Sequence, residues 1–266
     1  MPTKTIALIH GNFVTQHCWD GWAARYKARG YKTVQIAYPG RDKPVELLKQ
    51  NLSDPILQQL TIDKVIDHHV RVIRSLPEKP IIIGHSFGGL LTQLMLQRDL
   101  GVAGVAIDSV PPQGVLALKW SFFRSLWPVI NPLIPASKPY YMTFEQFQYT
   151  FVHTLLPAEQ RAAYDAQVVP ESRRLARGGL SSAARVDFKR ARPPLLMIAG
   201  EKDHIMPAAL NRVNYERYKK SPSITEFKEF AGRDHYIIGE RGWEEVADHA
   251  LDWSIQVQRK DAARAA

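Results

Sequence analysis

Ser86 stands between two glycines, in Gly84-His85-Ser86-Phe87-Gly88. A serine hydroxyl becomes a useful nucleophile only when a base takes its proton and a third group orients that base. Two later stretches offer both. Asp203 lies in Ala199-Gly200-Glu201-Lys202-Asp203-His204, and His235 lies in Gly232-Arg233-Asp234-His235-Tyr236. In acyl transfer, His235 would take the proton of Ser86 and later give it to the leaving group, while Asp203 fixes the imidazole tautomer. The negative charge that develops on a carbonyl oxygen also needs donors, and helix N-termini supply free backbone N–H groups.

These side chains need elements that aim them. Ile81-Ile82-Ile83 has no polar alternation and reads as a strand buried on both faces. The G-x-S-x-G turn follows it, and Leu90-Leu91-Thr92-Gln93-Leu94-Met95-Leu96 begins an apolar helix. Strand, sharp turn and helix are the context that a nucleophile elbow requires. Side chains at 84 and 88 would collide in such a turn, which explains both glycines.

The remainder of the chain alternates in the same way. Strands are predicted at Lys4–Ile9, Lys32–Ala37, Val102–Ile107, Pro194–Gly200 and Ser223–Phe230. Helical spacing marks Trp19–Arg29, Leu60–Leu76, Ala208–Tyr218 and Gly242–Gln258, with a fraying tail after it, and Gly30 caps the first of these. Residues 41–54 read as a polar connection with room for a short helix. His10-Gly11-Asn12-Phe13 is a turn at the end of the first strand. The pattern predicts an α/β fold, a mostly parallel sheet with helices on both faces. Residues 111–192 break the alternation with prolines, helical fragments at 143–154 and 158–166, and ten aromatics between Trp120 and Phe151. A structureless loop that long is uncommon, so residues 111–192 are expected to form a helical cap. The core is then 1–110 and 193–266. Open α/β sheets bind ligands at the strand ends, where this cap would lie.

Composition narrows the function classes. At 266 residues, 45% hydrophobic and 23% charged, the chain suits one soluble globular core. Its longest apolar runs fall short of the roughly 18 residues needed to span a bilayer. Thr5–Ile9 is too short for a signal-peptide core, so a cytoplasmic location is expected. The formal charge of +9 is spread along the chain without a nucleic-acid motif, so no nucleic-acid partner is expected. Trp120-Ser121-Phe122-Phe123 and Trp127 could touch lipid, but Arg124 and Pro128 interrupt the run, and no membrane contact is expected. The expected partner is a small-molecule ester.

Cys18 is the single cysteine and reads as a packed apolar side chain. His68 and His69 point in different directions on one helix and make no metal site. No cofactor or metal is implied.

The order Ser86, Asp203, His235, together with His10-Gly11 and the Gly84–Gly88 motif, resembles the α/β-hydrolase superfamily. The likeness spans nearly the whole strand–helix order, and it is to small lid-bearing serine esterases, a group that includes plant methyl esterases and hydroxynitrile lyases. The extra antiparallel strand pair that larger members carry before the His-Gly strand is not expected here. The resemblance implies an esterase with the triad Ser86, Asp203 and His235, and an oxyanion hole from the backbone N–H groups of Asn12 and Phe87. Dehalogenases of this fold carry the same His-Gly-Asn but use Asp as nucleophile, so the Asn12 side chain is left unassigned. Hydroxynitrile lyases have Thr and Lys where this chain has Gly11 and Tyr236, which speaks against a lyase. A non-enzymatic small-molecule receptor on the same fold is the other alternative.

Several neighbours compete for roles. Asp108 also ends a strand, and some family members take their acid there, but Asp203 is preferred. Asp234 is expected to turn its loop. His10 is expected to pack behind the oxyanion loop, and His85 to pack under the cap.

Overall fold

A computed structural model describes residues 2–116 and 119–265, with side chains described to residue 260. The elements run β1 (Thr5–Ile9), α1 (Asp20–Ala28), β2 (Lys32–Ile36), α2 (Val45–Gln50), α3 (Pro55–Gln59), α4 (Ile62–Arg74), β3 (Ile81–His85), α5 (Phe87–Leu96) and β4 (Ala103–Ile107). After β4 come α6 (Trp120–Ile130), α7 (Phe144–Thr150), α8 (Pro157–Gln167) and α9 (Arg173–Gly178). The chain returns through β5 (Leu195–Gly200), α10 (Ala208–Arg217), β6 (Thr225–Phe230) and α11 (Trp243–Ala265). Residue 266 of the tail expected to fray lies outside the described residues, and α11 continues well past Gln258.

All six strands are parallel, in the order β2-β1-β3-β4-β5-β6. Strand side chains point alternately to the two faces, and the core divides accordingly. Ile6, Leu8, Ile81 and Ile83 pack with Trp19, Trp22, Tyr26, Val246 and Leu251, so α1 and α11 cover one face. Ala7, Ile9 and Ile82 pack with Val65, Ile66, Leu90 and Leu94, so α4 and α5 cover the other. Each isoleucine of β3 is fully buried, which is worth about 1.5–3 kcal/mol per side chain. That requirement is why the triple-isoleucine run could only be a central strand.

The segment between β4 and β5 folds on its own small core. Phe122, Val129, Phe147, Phe151 and Val168 pack together, and Phe13, Ile205 and Met206 from the sheet's C-terminal end join them. Two of its helices, α6 and α9, are absent from the sequence reading. Pro128 lies inside α6 and reads as a breaker, yet the helix end is fastened from outside. Arg173 of α9 donates to the carbonyls of Pro128 and Val129, and Arg177 donates to those of Asn131 and Ile134. Cations at a helix C-terminus satisfy carbonyls left without intrahelical donors.

Candidate active site

Ser86 has φ 57° and ψ −117°, a conformation that costs a non-glycine residue roughly 1–3 kcal/mol. The surroundings enforce it. A Cβ on Gly84 would come within 2.0 Å of the Gly88 carbonyl oxygen, and one on Gly88 within 2.2 Å of the Ile9 oxygen. The turn therefore packs against β1 with no space for either side chain. A Cβ on Gly11 would lie 2.8 Å from Ser86 Cβ, so the His10-Gly11-Asn12 turn passes directly beside the serine.

That turn is held from several sides. His10 is fully buried, donates from Nδ1 to the Gly11 carbonyl at 2.8 Å and accepts the Tyr38 N–H at Nε2. Burial pushes its pKa down to about 3, so the ring is neutral and structural, as the sequence reading expects. Phe13 has φ 70°, and its carbonyl accepts the Val169 N–H at 2.8 Å. Its own N–H points at Glu171, which also faces Arg41 at 3.5 Å; both charged side chains are buried. The segment between β4 and β5 thereby reaches back to clamp the loop beside Ser86. Removing one partner of such a buried pair leaves the other charge uncompensated, at a cost of about 3–5 kcal/mol.

Asp203 and His235 meet. His235 Nδ1 and Asp203 Oδ2 are 2.6 Å apart, and both side chains are fully buried. The other carboxylate oxygen accepts the N–H groups of Ile205 and Met206, each at 2.8 Å, which fixes the carboxylate plane. His235 Nε2 is buried without a hydrogen-bond partner among the described residues. The Ser86–His235 hydrogen bond is therefore not made. His85, one residue from the serine, donates from Nε2 to the His235 carbonyl at 2.8 Å, and their rings are 4.6 Å apart. His85 thus packs on the histidine loop. The Phe151 and His235 rings meet nearly at right angles, with centroids 4.6 Å apart.

Asp108 does not bond to His235. It is fully buried at φ 42°, and its Oδ1 accepts the Gly200 N–H at 2.7 Å. Burial first, and the neighbouring Asp203 carboxylate second, hold its pKa well above the ordinary carboxyl range. It sits close behind the site: His85, Asp108 and His235 each bring a potential ligand atom within 4.8 Å of the others. Asp234 does turn its loop, accepting the Tyr236 N–H, and also accepts both the N–H and the hydroxyl of Thr154. Cys18 is buried in the core on the α1 side.

Ser86, Asn12 and Phe87 border one cavity of about 60 Å³, walled by Phe122, Leu126 and Phe151. Phe87 opens α5, where backbone N–H groups have no intrahelical acceptor. The Asn12 Oδ1 is buried without a partner. The sequence reading missed the Arg41–Glu171 pair, the Asp234–Thr154 bonds and Phe151. Their partners stand far away in the chain, and no local pattern announces them.

A parallel α/β sheet with a serine at a strained strand-to-helix turn, and a buried His–Asp pair at neighbouring strand ends, defines a hydrolase-type scaffold. The chain belongs to the alpha/beta hydrolase family, whose profile matches residues 6–249. No curated protein matches the sequence. Among solved structures, an extracellular alpha/beta-hydrolase from a Paenibacillus species superposes with TM-score 0.69 at 19% identity, over 93% of this chain and 97% of that one. A monoacylglycerol lipase from Paleococcus ferrophilus gives 0.68 at 18% identity, over 96% of each chain. Tomato methylketone synthase I, solved with 2-tridecanone, gives 0.66 at 20% identity, over 97% of this chain and all of that one. At these identities the likeness is one of fold.

Proposed function

We propose that the protein is a serine hydrolase acting on a carboxylic ester with an apolar acyl or alcohol part. The observation that carries this reading is the buried His235–Asp203 pair, whose Nε2 has no partner among the described residues and whose loop is bonded to His85, the residue before the elbow serine that borders the apolar cavity. Asp203 holds the proton of His235 on Nδ1, which leaves Nε2 as a base. Ser86 Oγ gives its proton to Nε2 and bonds to the ester carbonyl carbon. The Asn12 and Phe87 N–H groups receive the oxyanion. Collapse breaks the C–O bond, and His235 returns the proton to the leaving alcohol. Water then repeats the sequence and releases the acid from Ser86.

Residues 111–192 act as the cap in this proposal. Its helix α6 supplies Phe122 and Leu126 to the cavity wall. A cavity of about 60 Å³ is far below the usual range of several hundred Å³ for ligand pockets, so longer substrates require α6 to move. The names of structural neighbours include esterases and a lipase, which agrees with ester chemistry, and a methylketone synthase, which shows that this fold also serves other reactions.

The test is a panel of p-nitrophenyl esters of graded acyl length, run with the wild type and Ser86→Ala. The expected result is saturable hydrolysis that Ser86→Ala abolishes without change in thermal unfolding. Wild-type turnover no faster than Ser86→Ala on every ester would remove the proposal.

A further inference from the structure

Helix α6 has two apolar faces. Its inner side chains Phe122 and Leu126 wall the Ser86 cavity, whereas Trp120, Phe123 and Trp127 are 77%, 44% and 57% exposed. Residues three and four apart share one side of a helix, so these three aromatics form a single outer stripe. Leu116 before the helix and Leu133 after it are exposed as well. Of the eleven large exposed apolar side chains among the described residues, these five fall within one short stretch. Surface apolar residues are ordinarily scattered singly, and a contiguous group marks an interaction surface.

Charge selects the partner. From residue 109 to 144 the chain carries Lys119, Arg124 and Lys138 and no acidic residue. Beside this stretch lies an open cleft of about 1300 Å³ whose border includes Gln113 and Gly114. Arg185, Lys189, Arg217, Lys219 and Lys220 line it, against Asp187 and Glu216. Glu216 is paired with Lys219, so the cleft keeps a clear cationic excess. Gly114 is two residues from Leu116, which limits their separation to about 7 Å. The cationic cleft therefore borders the stretch of exposed apolar side chains at Leu116, its N-terminal member.

We propose that this face docks on an anionic lipid surface, with Trp120, Phe123 and Trp127 at the headgroup level and the basic cleft against the headgroups. Tryptophan suits that position because its ring is apolar and its N–H is polar, and anionic lipid attracts nearby Lys and Arg. A polynucleotide would use the cations but leave the aromatic stripe in water. A second copy of this chain would cover the stripe but bring like charges together. The interruption that Arg124 and Pro128 make in the linear sequence disappears on the helix. Pro128 stays within α6, and Arg124, lying over the Tyr149 ring, adds a cation between the aromatics. Docking here sets the lipid phase against the helix whose other side faces Ser86.

The test is co-sedimentation of the full chain with phosphatidylcholine vesicles, with and without about 30% phosphatidylglycerol, at low and high salt. Two variants accompany it, Trp120→Ser/Phe123→Ser/Trp127→Ser and Lys219→Glu/Lys220→Glu, each checked for unchanged thermal unfolding. The wild type should sediment with the anionic vesicles at low salt and much less with neutral ones, with a blue shift of tryptophan emission. Each variant should lose roughly tenfold or more in partitioning. This readout involves no hydrolysis, so it stands apart from the ester assay. The proposal is overturned if the wild type stays in the supernatant, or if the aromatic variant sediments as the wild type does. It is also overturned if the wild type forms a dimer without vesicles that the aromatic variant abolishes, since a second copy then covers the stripe. Equal capture of wild type and aromatic variant by both polynucleotide and vesicles overturns it too, since charge alone then explains the binding.

Discussion

Asparagine at position 203 separates the roles of the two buried acids. One oxygen of Asp203 already accepts the N–H groups of Ile205 and Met206, so an asparagine must keep its carbonyl oxygen there. Its amide NH2 then faces His235 Nδ1, at the position now 2.6 Å away. Nδ1 must become an acceptor, which moves the ring proton to Nε2 and leaves no base for Ser86. The same exchange in a Ser-His-Asp triad costs about 10⁴-fold in kcat, roughly 5.5 kcal/mol of barrier. Stability should change far less. Two bonds to a charged acceptor become neutral ones, at most about 2 kcal/mol, and removal of a buried charge offsets part of that. Asp108→Asn keeps its oxygen on the Gly200 N–H and replaces a carboxyl that burial biases toward its neutral form by an isosteric amide, so kcat should stay within about tenfold. The assay is kcat on p-nitrophenyl acetate for wild type and both variants, with thermal unfolding of each. If Asp108→Asn is the crippling change and Asp203→Asn costs less than tenfold, the reasoning fails.

Asp108 also yields a prediction about stability. Its raised pKa means that the folded chain keeps a proton which the unfolded chain releases above pH ~4, so the wild type loses up to about 1.4 kcal/mol per pH unit from there toward the folded pKa. Asp108→Asn lacks this burden, and its Tm advantage over the wild type should widen between pH 4 and pH 7; a gap that stays constant would contradict the shift. In the cavity wall, Phe122→Ala should raise the ratio of long-chain to acetyl kcat/KM, whereas Trp127→Ala, on the outer face, should leave it unchanged. Phe147 is 1% exposed within the inserted segment's own core, so Phe147→Ala should instead cost about 3–5 kcal/mol of stability, read from denaturant unfolding.

The elbow was legible in the sequence because its causes are local. Three isoleucines need burial on both faces, and glycines at 84 and 88 are needed where a Cβ would strike the Gly88 and Ile9 carbonyl oxygens. The alternation of strands and helices followed from hydrophobic period alone, and with it the parallel sheet. The neighbours of Ser86 were legible only as candidates. Asp108 and Asp203 both end strands, and choosing between them requires knowing which side of His235 each reaches. That depends on how β4, β5 and the loop after β6 are set side by side, which no spacing encodes. Helix α6 escaped notice because Pro128 mimics a stop, while the arginines that fasten its end come from α9, more than forty residues later. The inward and outward aromatics of α6 looked alike in sequence, since a helix with apolar groups on both sides has no polar face to orient it. Only the packing of Phe122 toward Ser86, with Trp127 left in solvent, decided which of them can meet a substrate. The Arg41–Glu171 pair joins residues 130 positions apart, and chain closure alone brings it beside the turn that carries Phe13.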